Sequence, residues 1–367
     1  MKTGLLFTWA AAAAMLAGCS QESVVDSSVN KMENAIGFST YKNVSRGNPV
    51  NDNAEFMTSG NQFGVTAFIN NTTTSPYMGT ATAGIPIKAD GTQWNYANPA
   101  DLAYWPTKGE TLDFYGYAPF GTTAITALAF DKANGMSFTY TVPATEAEQQ
   151  DVMFALDPTK AKPATPGERV KMPFKHALTQ VHFRIGTKTT NLKVDVAANG
   201  ITINKLKNTG EFKLSAAGIE SWTLPTTAGT AVYTVTSAAV TEAGYIGTSA
   251  PFNYQVVGTA DKALMLLPQE FKAKTATETA GAFLTISCKI YQEGATPTEK
   301  TYLVGDATTF GTVEVPISSQ REATEVWKRN KKVTYNILIG EGGTLEPILF
   351  AADVETWVSE DGGTVEN

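Results

Sequence analysis

Two cysteines and two histidines are the side chains of widest chemical range in this sequence. Cys19 closes the run Leu16-Ala17-Gly18-Cys19. Small residues ahead of a cysteine suit a peptidase with a narrow fit at the scissile bond. The thiol left at the new amino terminus is a nucleophile able to carry a thioether-linked diacylglycerol. Cys288 stands in Leu284-Thr285-Ile286-Ser287-Cys288-Lys289-Ile290, where alternate residues are apolar. That pattern predicts a buried structural thiol. With Cys19 lipidated, no disulfide can form within the chain. His176 and His182 are six apart in the run 174–185, which predicts one strand with both rings on the same face. Their separation of about 20 Å excludes a shared metal ion. No CxxC, HExxH or EF-hand loop occurs, and the acidic turn at 359–363 reads as solvated. There is no G-x-S-x-G elbow and no phosphate-binding glycine motif. The expectation is a chain that is not an enzyme, with no cofactor and no metal.

The elements that must carry these residues read as strands. Period-2 alternation of apolar residues recurs along the chain. Ile36, Phe38 and Thr40 share one face, as do Leu112, Phe114 and Gly116. Further sets are Ala177, Thr179, Val181, Phe183 and Ile185; Val333, Tyr335, Ile337 and Ile339; and Ile348, Phe350, Ala352 and Val354. Turn-formers separate the runs, among them Asn199-Gly200 and Gly342-Gly343. The fold class is all-β, expected as two β-sandwiches in series. The joint falls at 158–167, where Pro158, Pro163, Pro166 and Gly167 interrupt regular structure. Two short helix candidates remain, at 144–153 and 321–329, the second readable equally as a turn or a loop.

Upstream of Cys19, Lys2 is a basic start and 5–16 an uncharged apolar stretch. This is shorter than the about 20 residues of a membrane-spanning helix, so it reads as a signal peptide at 1–18. The polar segment 19–34 reads as a tether carrying the lipid. A net charge of −7 argues against a nucleic-acid partner, which needs excess Lys and Arg. Trp94, Tyr96, Tyr104, Trp105, Tyr115 and Tyr117 crowd the first half, and exposed aromatics of this kind could stack on sugar rings.

Leu16-Ala17-Gly18-Cys19 resembles the lipobox of bacterial lipoproteins. Five later stretches resemble, in order, the landmarks of the fimbrillin-like lipoproteins, the subunits of type V pili in anaerobic Gram-negative bacteria. They are Tyr104-Trp105-Pro106 with Leu112-Asp113-Phe114-Tyr115-Gly116-Tyr117-Ala118-Pro119; Asp151-Val152-Met153-Phe154-Ala155; Phe174-Lys175-His176-Ala177-Leu178-Thr179-Gln180-Val181-His182-Phe183; Leu264-Met265-Leu266-Leu267-Pro268-Gln269; and Trp327-Lys328-Arg329-Asn330-Lys331-Lys332-Val333-Thr334-Tyr335. The resemblance implies two transthyretin-like sandwiches, at 35–167 and 168–367. It implies lipidation, transport to the outer membrane and removal of an amino-terminal strand by an arginine-specific protease. A neighbouring subunit's strand then fills the groove.

Mapped onto this chain, Cys19 takes the lipid and cleavage falls between Arg46 and Gly47. Arg46 is one of five arginines and the only one before position 169. It lies in a turn-rich segment of the kind proteases cut. The departing strand carries Ile36, Phe38 and Thr40, and the donor strand carries Ile348, Phe350, Ala352 and Val354. The expected partners are other pilus subunits, the outer membrane through the lipid before maturation, and a host protein or glycan. The expected location is the cell surface and the fimbrium. The alternative is a pilus-tip adhesin or glycan-binding surface lipoprotein that uses Trp94, Tyr96 or Trp105.

Overall fold

The computed structural model describes residues 34–40, 50, 53–70, 74–226, 229–259, 263–317 and 324–340, and the strand 351–355; at 324–325 and 351–355 it describes the backbone alone. Cys19, Arg46, Gly47, Ile348 and Phe350 lie outside the described residues.

The described chain is nearly all β. The first half contains β1 (Phe38–Ser39), β2 (Gln62–Ile69), β3 (Ile85–Ala89), β4 (Trp94–Tyr96), β5 (Leu112–Ala118), β6 (Ile125–Asp131), β7 (Gly135–Thr141) and β8 (Met153–Lys160). Next come β9 (Val170–Lys171), β10 (Lys175–His176), β11 (Thr179–Thr187), β12 (Leu192–Lys207), β13 (Thr209–Leu214), β14 (Glu220–Thr223), β15 (Thr230–Thr234), β16 (Val240–Ala243) and β17 (Gln255–Val257). The remainder are β18 (Leu264–Leu266), β19 (Glu270–Lys272), β20 (Phe283–Glu293), β21 (Lys300–Val304), β22 (Gly311–Pro316), β23 (Thr324–Val326), β24 (Lys331–Ile339) and β25 (Ala351–Glu355).

One sheet, ordered β10-β8-β5-β2-β3-β4, is the middle layer of the first half. Its central strands are buried on both faces, and the alternation assigns each face to a different core. Phe63, Val65, Ala67, Leu112, Phe114, Met153 and Ala155 point into a core shared with Ile36, Phe38, Val170 and Met172. Phe68, Tyr115, Tyr117 and Phe154 point into a second core. The sheet β14-β13-β7-β6 joins strands from both sides of the expected boundary at 167/168, and β7 pairs with β13 from Met136↔Leu214 to Thr141↔Thr209. The second core runs on without a break to Val181, Ile203, Ile286 and Val333.

In the second half, β11 and β24 form a nine-residue parallel pair, Thr179↔Lys331 to Thr187↔Ile339. β25 flanks β24 at that sheet's edge. Three sequence expectations are corrected here. The helix at 144–153 is a single 3-10 turn, Glu146–Glu148, before β8; Glu146 is buried and its Oε2 accepts a hydrogen bond from the Thr236 amide. Of the helix at 321–329, the part 324–326 is strand β23 paired with β19. Pro158 does not end a strand but sits where β8 shifts register against β5. A proline needs no ladder partner for its missing N–H at such a bulge.

Candidate functional site: the amino-terminal strand and its slot

Residues 34–40 lie across one face of the middle sheet. Alternation sends Ile36 and Phe38 inward, and both are buried, with Phe38 1% exposed. The Phe38 ring meets Phe63 and Phe114 edge-on at centroid distances of 6.0 and 5.9 Å, and Tyr96 at 6.0 Å. Burying two such side chains contributes about 3–6 kcal/mol. Thr40 accepts a hydrogen bond from Trp94 Nε1 at 2.9 Å.

Both edges of this segment are paired. On one side it runs parallel to β9, with Val170 N donating to the Gly37 carbonyl at 2.8 Å and Met172 N to the Ser39 carbonyl at 3.0 Å. On the other side it is antiparallel to 103–105, where Ile36 N donates to the Ala103 carbonyl and Trp105 N to the Asn34 carbonyl, both at 2.9 Å. The segment is thus an inserted strand rather than an edge, and its departure would orphan main-chain groups on two neighbours.

Two side chains hold its main chain directly. Tyr96 donates its hydroxyl to the Ile36 carbonyl at 2.9 Å. Burial raises the pKa of this phenol, so it remains a donor. Arg169 donates from Nη1 to the Phe38 carbonyl at 3.1 Å and to the Trp94 carbonyl, and from Nη2 to Gln93 Oε1 at 2.8 Å. Its alkyl stem lies over Gly37, where an added Cβ would stand 3.1 Å from Arg169 Cγ. No local pattern points to this role for Arg169, because its main-chain partners are 131 and 75 residues away in the chain.

The chain re-enters the described structure at Val50, whose N–H donates to Asp151 Oδ2 at 3.1 Å. The same oxygen lies 2.8 Å from His176 Nδ1, and Asp151 is buried. This contact joins two of the sequence landmarks, those beginning at Asp151 and at Phe174. The two histidines are not in one strand as expected. His176 is in β10 and His182 in β11, because the chain breaks its ladder at Ala177-Leu178. His182 Nε2 lies 3.1 Å from Gln180 Oε1. Among the described residues no cluster of His, Cys, Asp and Glu could hold a metal ion. Cys288 is buried in β20, and burial pushes its thiol up to about 12.

The aromatic residues considered for sugar stacking point the other way. Trp94 and Trp105 are buried, at 2% and 4% exposure, in the core that receives Phe38. Tyr104 is exposed and its carbonyl accepts from the Tyr77 hydroxyl at 2.7 Å. Of the expected donor residues, Ala352 and Val354 lie in β25, opposite Tyr335 and Val333 of β24. No described helix is long and apolar enough to cross a membrane.

Comparison with solved structures finds a fimbrial protein from Bacteroides vulgatus ATCC 8482 at a TM-score of 0.61 and 17% identity, spanning 89% of this chain and 100% of the other. A candidate cell adhesion protein from Bacteroides uniformis ATCC 8492 overlaps 89% of this chain and 98% of its own at 15% identity, with a TM-score of 0.48. The first of these likenesses is one of fold. No curated protein matches the sequence. The family model described as fimbrillin-like matches residues 48–357, most of the chain, and on that match the protein belongs to the fimbrillin-like family.

Proposed function

We propose that the chain is a structural subunit of a fimbrillin pilus, built to exchange the strand seated at 34–40 and supporting adhesion at the cell surface. In this reading it is exported as a lipoprotein through Cys19 and held at the outer membrane. Cleavage between Arg46 and Gly47 then frees the segment carrying Ile36, Phe38 and Thr40. The vacated slot takes a strand from another subunit, and the strand bearing Ile348, Phe350, Ala352 and Val354 is donated onward.

One observation carries the reading. The segment is buried and paired on both edges, yet just nine residues lie between Thr40 and Val50, and Arg46 is one of them. A strand so placed contributes to the core while being separable by one cut. Its loss leaves an apolar slot and unpaired backbone, a template for strand addition in trans. Position 352–354 at a sheet edge is compatible with donation, since an edge strand has a single neighbour to leave.

The test is the mass and amino terminus of the surface form, read together with electron microscopy of shed fibres. A polymerised form beginning at Gly47 supports the reading. An acylated form that begins at Cys19, with no fibre, removes it and favours a solitary lipoprotein.

A further inference from the structure

Resting on that exchange reading, the geometry at Gly37 says which strand the slot accepts. The slot has two apolar pockets two residues apart, filled by Ile36 and Phe38. Between them the chain passes beneath Arg169, where a Cβ would come within 3.1 Å of Cγ and 3.8 Å of Cδ and Nε. An arginine at a surface would swing aside. This one is pinned at its far end by the Phe38 carbonyl, the Trp94 carbonyl and Gln93. One of those bonds is to the seated strand itself, so moving Arg169 aside also loosens the strand.

The carboxyl-terminal sequence of this chain has the matching spacing but the wrong centre. Ile348-Leu349-Phe350 repeats the Ile-x-Phe of Ile36-Gly37-Phe38 with leucine in place of glycine. The mismatch holds whichever way the strand runs, because Leu349 is the middle residue in both directions. Shifting by two places puts Ala351 at the centre but leaves Ala352 in a pocket. Shifting by four puts Asp353 at the centre with Ala352 and Val354 as anchors. Each shift underfills a pocket shaped for Ile or Phe.

We propose that Arg169 makes the slot selective for a strand with glycine between two large apolar residues, so that the slot rejects this chain's own terminal strand and receives one from a different polypeptide. Discrimination here works by a clash built against the wrong partner as much as by contacts to the right one.

The test uses the full chain carrying Cys19→Ser, cut by an arginine-specific protease. The peptide Ala-Ile-Gly-Phe-Ser-Thr-Tyr, copied from 35–41, is titrated against the same peptide with valine for glycine. The glycine peptide should bind at least about tenfold tighter. Arg169→Ala should shrink that ratio to about threefold or less, whatever it does to absolute affinity. Alone, the cut chain should stay monomeric by light scattering, and Leu349→Gly should make it self-associate. Equal binding of the two peptides, or self-association of the parent as ready as that of Leu349→Gly, overturns the selectivity and leaves exchange standing. If neither peptide binds and Leu349→Gly also stays monomeric, exchange itself fails and the selectivity with it. The peptide comparison needs no protein variant, so a misfolded Arg169→Ala does not block it.

Discussion

His182 shows how one side chain records its surroundings. It stands on the face of β11 opposite the core, across the parallel ladder from Thr334. Burial, reinforced by the charges of Lys332 and Arg184, lowers its pKa to about 4. In the unfolded chain the ring titrates near about 6.5. Between those values the unfolded state binds more protons than the folded state. The stability tied to the neutral ring is therefore whole above about pH 6.5 and is lost as pH falls toward about 4. The slope cannot exceed about 1.4 kcal/mol per pH unit for this one group. Urea midpoints measured at about pH 7 and about pH 5 should fall less in His182→Gln than in the parent.

At the scale of elements, the amino-terminal strand makes the sharpest prediction. Phe38→Ala removes a fully buried ring with two edge-on neighbours and should weaken the seating of 34–40 by about 3–5 kcal/mol. Hydrogen exchange at the Val170 and Met172 amides reads this directly, because both donate to carbonyls of that segment. Faster exchange there, with the β11 and β24 amides unchanged, is the expected result; slowing or no change would mean that the strand is held by its backbone alone. That strand was legible beforehand because Ile36, Phe38 and Thr40 alternate, and burial follows alternation. So were β5, β11, β20 and β24. The break between β10 and β11 was not legible, since Ala177 and Leu178 continue the apolar pattern while turning the chain. The candidate helix at 144–153 failed for a tertiary reason: the Glu146 carboxylate accepts from the Thr236 amide 90 residues away. Arg169 and Gly37 stayed hidden because their meeting depends on where a loop crosses a strand, which no local pattern encodes.

The whole molecule is tied together more tightly than two sandwiches in series would be. β6 and β7 come from the first half, β13 and β14 from the second, and the four make one sheet. Phe138 stacks on Phe212 across that join at 4.9 Å and meets the Trp222 ring edge-on at 6.0 Å. The Met265 amide donates to buried Gln149 at 2.7 Å, linking the halves again. Cutting the chain at 167 would strip β7 of a six-residue ladder and open the second core to water. An exposed strand edge with aromatic side chains behind it favours association over folding. A fragment of residues 35–167 should therefore aggregate or remain partly unfolded. The full chain should melt in one calorimetric transition whose van't Hoff and calorimetric enthalpies agree. Two resolved transitions, or a soluble and cooperatively folding fragment, would show that the shared sheet couples the halves weakly. Strand exchange at the slot would then be a local event in the first half. With tight coupling, the exchange proposed above would, by filling the slot, stiffen a body that reaches to β25.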